Sequence, residues 1–110
     1  MSQLFKQVVL IGVGLIGGSL ILDLKRQQLI GSVHGIDLDA DNLQRALERK
    51  VVDTASTIID DAVTQADLVI LATPVGTIAG ITLALQPYLQ AACILIDVGS
   101  TKQTTIQAIA

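Results

Sequence analysis

Along this chain of 110 residues, continuous apolar runs alternate with segments in which apolar residues recur at helical spacing. The first run and the first such segment lie near the N-terminal end. Residues 8–11 form an unbroken run of four β-favouring side chains, which predicts a buried strand. After a glycine-rich segment, Ile16, Leu20 and Leu24 recur at helical spacing, which predicts a helix that begins near Leu15. The chain therefore opens with a strand, a tight turn and a helix.

The same alternation continues along the rest of the chain. Short apolar runs predict strands within residues 33–36, 51–59, 67–72 and 93–98. Helical spacing predicts helices over residues 41–50, 60–66 and 104–110, and one that begins after Thr77 and is ended or bent by Pro87. Alternating strands and helices imply right-handed βαβ crossovers. We expect one α/β domain over residues 1–110, a Rossmann-type, doubly wound, mainly parallel sheet with helices on both faces.

The glycines of the first turn have the spacing G-x-G-x-x-G, which is typical of a dinucleotide site. Gly12 permits the sharp turn out of the strand, Gly14 lets a pyrophosphate approach the backbone, and Gly17 lets helix and strand pack closely. The free N–H groups at the start of the helix, around Leu15 and Ile16, face the phosphates in such a site. An ordinary strand-turn-helix connection without a ligand is the alternative interpretation.

An acidic residue ends the second predicted strand. Asp37 lies 25 positions after Gly12, where a dinucleotide fold places the carboxylate that accepts hydrogen bonds from the adenosine ribose. A carboxylate there also repels a 2′-phosphate, and the next residue is Leu38 rather than an arginine. This favours NAD over NADP. Asp37 could instead be a simple cap or turn residue, although Asp39 and Asp41 are better placed to cap the following helix.

Composition and charge limit the classes of protein to which this chain can belong. Hydrophobic residues make up 51% of the chain, yet only Phe5 and Tyr88 are aromatic, so the core must be aliphatic, as in a parallel sheet covered on both faces. The net charge of −3 argues against a nucleic-acid-binding surface. The single cysteine, Cys93, cannot form an internal disulfide and is expected to be a buried structural thiol.

One segment imitates a membrane or export signal. Residues 8–22 are uncharged, follow Lys6, and contain Gly14 and Gly18 at G-x-x-x-G spacing. The segment is shorter than the roughly 20 apolar residues that a spanning helix needs, and no cleavage signature follows it. We therefore expect a cytoplasmic protein without a membrane segment.

Four predicted loops follow the carboxyl ends of strands: residues 12–17, Asp37, residues 73–76 and residues 99–102. In doubly wound sheets ligands bind beyond these ends, at the topological switch point. We therefore expect all four loops to converge on one edge of the sheet. The only histidine, His34, lies mid-strand without a second ligand nearby in sequence, so no metal site is expected.

Three segments give the chain a more specific resemblance. They are G-V-G-L-I-G-G-S-L at residues 12–20, A-T-P-V at residues 72–75 and D-V-G-S-T-K at residues 97–102. With these segments the chain resembles the N-terminal cofactor domain of the prephenate dehydrogenase family, which includes arogenate and cyclohexadienyl dehydrogenases. The resemblance implies that NAD⁺ takes a hydride from prephenate while its ring carboxylate leaves as carbon dioxide. The product is 4-hydroxyphenylpyruvate, a precursor in tyrosine and hence aromatic amino acid biosynthesis.

The resemblance also assigns roles to individual residues. Ser100 would lie near the nicotinamide and the substrate hydroxyl, and Lys102 would support it, although an ordinary loop role for both stays open. The expected cofactor-binding residues are Gly12, Gly14, Leu15, Ile16, Gly17, Asp37, Thr73, Pro74, Val75 and Ser100.

The sequence departs from the family in one respect. The family continues into a G-x-H-P loop, whose histidine aids deprotonation of the substrate hydroxyl, and into a helical domain that forms the dimer and most of the substrate pocket. Neither occurs in these 110 residues. We expect the chain to bind cofactor without turnover, and the parent enzyme to be a homodimer. Whether the parent uses prephenate or arogenate stays open.

Two other functions fit part of the same pattern. Another Rossmann oxidoreductase, such as a hydroxyacid dehydrogenase or a ketoacid or imine reductase, would share the glycines and Asp37. Only the loop at residues 97–102 distinguishes such an enzyme from the prephenate dehydrogenase family. A non-catalytic NAD-sensing regulatory domain would also place an acid at the tip of the second strand. Such a sensor would not need the Thr73-Pro74 turn or Ser100.

Overall fold

A six-stranded sheet forms the centre of the computed structural model, which describes residues 4–13, 15–72, 78–89, 93–98 and 105–109. The elements in chain order are β1 (Phe5–Ile11), α1 (Leu15–Arg26), β2 (Ile30–Ile36), α2 (Ala40–Glu48), β3 (Thr54–Ser56), a 3₁₀ turn (Asp61–Gln65), β4 (Leu68–Leu71), α3 (Ile78–Leu85), β5 (Cys93–Asp97) and β6 (Thr105–Ile109).

The strand order is β3-β2-β1-β4-β5-β6, and the first five strands in this order run parallel. The chain moves outward from β1 to β3, then crosses back to place β4 on the other side of β1. This reversal is the topological switch point of a doubly wound sheet. The predicted Rossmann-type fold is confirmed.

Both faces of the central strands are buried, which explains their unbroken apolar sequences. Successive residues of β1 alternate between two clusters, with Val8 and Leu10 on one face and Val9 and Ile11 on the other. The first face is covered by Ile21 of α1 and by Leu43 and Ala46 of α2. The second face is covered by Val63 of the 3₁₀ turn and Leu85 of α3.

The boundaries of the helices follow their local chemistry. Asp39 caps α2, because its carboxylate accepts from the Asp41 amide at 2.9 Å. The third helix ends at Leu85, two residues before Pro87, as predicted for a residue that cannot continue a helix. The brief helix predicted over residues 60–66 is a five-residue 3₁₀ turn capped by Asp60.

The last predicted helix is wrong. Instead of a helix over residues 104–110, the chain forms β6, which pairs antiparallel with β5 in a register that joins Cys93 to Ile109 and Asp97 to Thr105. Three of the five residues of β6 are β-branched, which favours a strand. A segment of seven residues is also too short for a stable helix by itself, whereas β5 offers it an open edge.

The helices in the described ranges are short. The longest, α1, has 12 residues, and no helix in the described ranges is long and apolar enough to cross a bilayer.

Candidate functional site

Four parallel strands end at the same level along one edge of the sheet. In the register, Ile11 at the end of β1 faces Ile36 on one side and Leu71 on the other, and Leu71 faces Asp97. Hydrogen bonds continue one residue further, from Gly12 N–H to the Ile36 carbonyl at 2.8 Å. The segments that follow these strands therefore leave from one edge, here called the carboxyl edge.

Gly12 makes the turn out of β1. Its φ is 89°, in a region that side-chain-bearing residues rarely adopt, so the position requires glycine. The turn redirects the chain from β1 into α1, which begins at Leu15. This is the task predicted for the first glycine of the motif.

At Gly17, α1 lies close against the turn and the sheet. A Cβ atom at this position would lie 2.8 Å from the Gly12 carbonyl oxygen, 2.9 Å from Ala72 Cβ and 3.0 Å from Leu10 Cδ1. At Gly18 a Cβ would meet only the Val51 methyl groups at 3.9 Å, an ordinary contact. The third glycine of the motif, and not its neighbour, therefore holds the helix against the turn.

Asp37 joins the end of β2 to the glycine turn. Its Oδ2 accepts from the Val13 amide at 3.0 Å, and its Oδ1 accepts from the Asp39 amide at 2.9 Å. The carboxylate is half-buried and each oxygen has one backbone partner, so its orientation is fixed. An ionised carboxylate accepts up to about four hydrogen bonds, which leaves acceptor capacity for a ligand. We call this arrangement the Asp37 clamp.

The start of α1 differs from the starts of α2 and the 3₁₀ turn. In those two, the carboxylates of Asp39 and Asp60 accept from the amides of Asp41 and Ala62, the second residue of each element. The first turn of α1 contains no acidic residue. Its N–H groups and the positive end of its dipole can therefore receive a phosphate. Together with the close approach at Gly17, this geometry fits the pyrophosphate of a dinucleotide.

One residue that sequence reasoning missed supports the turn. A Cβ on Gly35, in β2, would lie 2.8 Å from Val52 Cγ1 and 2.9 Å from Val13 Cγ1. Gly35 therefore makes room for Val13, the same residue whose amide Asp37 holds. A glycine inside a strand is a known sign of close approach, and that signal was present in the sequence.

The other predicted site residues fall into two groups. Leu15 and Ile16 are the first two residues of α1, at the carboxyl edge. The predicted residues that lie outside the described ranges are Gly14, Thr73, Pro74, Val75, Ser100 and Lys102.

The contacts of His34 and Cys93 indicate that both side chains have structural roles. His34 Nδ1 lies 2.6 Å from Thr54 Oγ1, and its Nε2 lies 3.2 Å from Ser56 Oγ and 3.9 Å from Asp60 Oδ1. Both ring nitrogens are thus used by β3. Cys93 is buried, and burial together with the Asp67 carboxylate raises the pKa of its thiol. No cluster of possible metal ligands occurs within the described residues.

Sequence comparison connects this geometry with known proteins. Residues 20–110 match the family model described as "Prephenate dehydrogenase, nucleotide-binding domain". Over 107 residues the chain is 33% identical to prephenate dehydrogenase of Bacillus subtilis, covering 96% of this chain and 29% of that protein. It is also 33% identical over 105 residues to cyclohexadienyl dehydrogenase of Zymomonas mobilis, covering 96% and 36%. The chain thus spans about a third of the length of these relatives.

Comparison with solved structures points to the same family as the sequence comparison. The fold matches the crystal structure of prephenate dehydrogenase from Aquifex aeolicus in complex with hydroxyphenyl propionate and NAD⁺, with a TM-score of 0.81 and 30% identity. The match covers 88% of this chain and 34% of that one. A diketoreductase matches with a TM-score of 0.71 and 22% identity, a likeness that concerns the fold alone.

Proposed function

Since this chain belongs to the prephenate dehydrogenase family, as its nucleotide-binding domain, we propose that it binds NAD⁺ at the carboxyl edge of its sheet. The observation that carries the proposal is the Asp37 clamp, which holds a carboxylate beside the glycine turn, 3.0 Å from the Val13 amide. The dinucleotide fold needs an acid at this point for the adenosine ribose.

Each part of the cofactor has a complement among the residues of the edge. The turn of Gly12, Gly14 and Gly17 and the first amides of α1, at Leu15 and Ile16, receive the pyrophosphate. Asp37 accepts from the ribose hydroxyls with the lone pairs that its backbone partners leave free. The same negative charge repels a 2′-phosphate, so the site prefers NAD⁺ to NADP⁺.

The nicotinamide half depends on the loops after β4 and β5. Thr73, Pro74 and Val75 line the cofactor, and Ser100 hydrogen-bonds the hydroxyl group that is oxidised, with Lys102 in support. NAD⁺ supplies the hydride acceptor. In the parent enzyme the substrate is prephenate or arogenate, and loss of carbon dioxide accompanies the oxidation of prephenate to 4-hydroxyphenylpyruvate.

Family membership favours this function over the other Rossmann oxidoreductases and over a non-catalytic sensor, because the relatives are prephenate and cyclohexadienyl dehydrogenases. The relatives are about three times as long as this chain. As the resemblance implies, the general base is then the histidine of a G-x-H-P loop of the parent, and most of the substrate pocket and the dimer contacts come from a further helical domain.

A turnover assay tests this division of labour. The 110-residue chain is mixed with NAD⁺ and prephenate, and NADH formation is followed at 340 nm. We expect NADH to stay at the level of a prephenate-free control, because a general base contributes a factor of about 10²–10⁴ and substrate positioning adds more. In parallel, added NADH should show the altered fluorescence of a bound cofactor. Prephenate-dependent NADH formation by this chain would contradict the proposal.

A further inference from the structure

A groove between α1 and α2 contains two arginines without an acidic partner among the described residues. The groove has a volume of about 270 Å³, and its walls are formed by Gly18, Ser19 and Leu22 of α1 and by Asn42, Arg45 and Arg49 on the α2 side. Val13 and Val51 contribute apolar surface. The groove lies between the helices, whereas the proposed NAD⁺ site lies at the carboxyl edge.

Neither arginine forms an ion pair with a described residue. They are one helical turn apart, and like charges at this spacing repel each other. Asp41 lies one turn before Arg45 but forms no ion pair with it, and the Glu48 carboxylate accepts instead from Gln44 at 3.3 Å. No described lining residue is acidic, although the whole chain has a net charge of −3. An anion between the arginines would replace repulsion by attraction.

The polar and apolar parts of the groove define the class of anion. Two guanidinium groups match the two charges of a phosphate monoester better than the single charge of a carboxylate, and each can donate paired hydrogen bonds to phosphate oxygens. The Ser19 hydroxyl and the Asn42 amide add donors on either side. Leu22, which is 39% exposed, offers an apolar wall that a bare phosphate would not use.

We propose that this groove binds the phosphate monoester of a small molecule with an apolar part, at a site separate from the dinucleotide. The volume is just below the roughly 300–1,000 Å³ of pockets for drug-sized ligands, which suits a smaller compound. Val13 links the two sites, since its side chain lines the groove while Asp37 holds its amide. The proposal does not depend on the proposed function.

Calorimetric titration with phenyl phosphate tests the site. Inorganic phosphate and benzoate are titrated separately at equal ionic strength, and each titration is repeated with NAD⁺ present to occupy the dinucleotide site. We expect phenyl phosphate to bind more tightly than either probe, with or without NAD⁺. In the double variant Arg45→Gln/Arg49→Gln its affinity should fall about tenfold or more, because charge-assisted hydrogen bonds are lost.

A matched control variant distinguishes the loss of the groove arginines from a general loss of positive charge. The double variant Lys6→Gln/Arg26→Gln removes the same number of positive charges from exposed positions outside the groove and should bind phenyl phosphate like the wild type. Because Arg45 and Arg49 are exposed, their replacement should change the melting temperature only slightly. No binding to the wild type, equal losses in the two double variants, or competition by NAD⁺ would overturn the proposal. Tighter binding of benzoate than of phenyl phosphate would overturn the assignment to a phosphate.

Discussion

Replacing Asp37 with asparagine is expected to weaken NAD⁺ binding by about tenfold to a hundredfold, because hydrogen bonds to a charged group contribute about 1.5–3 kcal/mol each. The carboxylate serves two backbone amides, those of Val13 and Asp39, as well as the proposed ribose. An asparagine has one oxygen and must turn an NH₂ group toward one of these amides. The end of the glycine turn or the start of the α2 cap then loses its acceptor.

A ligand without ribose hydroxyls separates the two roles of Asp37. We expect Asp37→Asn to weaken binding of 2′,3′-dideoxyadenosine diphosphate as well, by several-fold, because the turn that receives the diphosphate is no longer held. Loss of the negative charge alone would instead strengthen diphosphate binding. Calorimetry with both ligands makes the measurement. Unchanged affinity for the dideoxy ligand, with weaker NAD⁺ binding, would contradict a positioning role and leave only contact with the ribose.

Asp53→Asn is the matched control for this experiment. Asp53 also accepts from a backbone amide, that of Val33 at 2.8 Å, and contacts Lys25 at 3.6 Å, but neither partner belongs to the glycine turn. Its replacement should lower the free energy of unfolding by an amount similar to that for Asp37→Asn. It should leave the affinity for both nucleotides unchanged.

Gly17→Ala is expected to lower both the stability of the chain and its affinity for NAD⁺. The new methyl group would lie 2.8 Å from the Gly12 carbonyl oxygen, a backbone atom that cannot move without the turn. Overpacking costs about 1–3 kcal/mol, only partly offset by the better helix propensity of alanine. Urea unfolding should show the lower stability. Calorimetry should show NAD⁺ binding weakened more than about tenfold, because α1 must shift away from the turn.

The neighbouring glycine provides the control. Gly18→Ala adds the same methyl group where the nearest atoms are 3.9 Å away, so the free energy of unfolding should rise by about 0.5–1 kcal/mol with NAD⁺ affinity unchanged. Similar behaviour of the two variants would show that the close approach at Gly17 does not control the site.

Much of the fold was predictable because the sheet is buried on both faces. Strands such as β1 and β4 are then continuous aliphatic runs, and glycine and proline mark their ends. The task of Gly12 and the cap at Asp39 were also predictable, since a sharp turn after a strand and a helix start each depend on a few adjacent residues.

The remaining features depend on contacts that are distant in sequence. The bond from Val13 to Asp37 spans 24 residues, and the space that Gly35 leaves for Val13 exists only when β2 and the turn are adjacent. The last segment was predicted as a helix because its pairing partner, the edge of β5, cannot be read from residues 104–110 themselves. Local periodicity in so short a segment does not decide between helix and strand.

The central claim is that the glycine turn and Asp37 together form an NAD⁺ site, and calorimetric titration of this chain with NAD⁺ and, separately, NADP⁺ tests it most directly. A circular dichroism spectrum first establishes that the sample is folded. We predict one NAD⁺ per chain and NADP⁺ binding at least about tenfold weaker, because the Asp37 carboxylate faces the 2′-phosphate. Equal or tighter binding of NADP⁺, or no binding of NAD⁺ by the folded chain, would contradict the account.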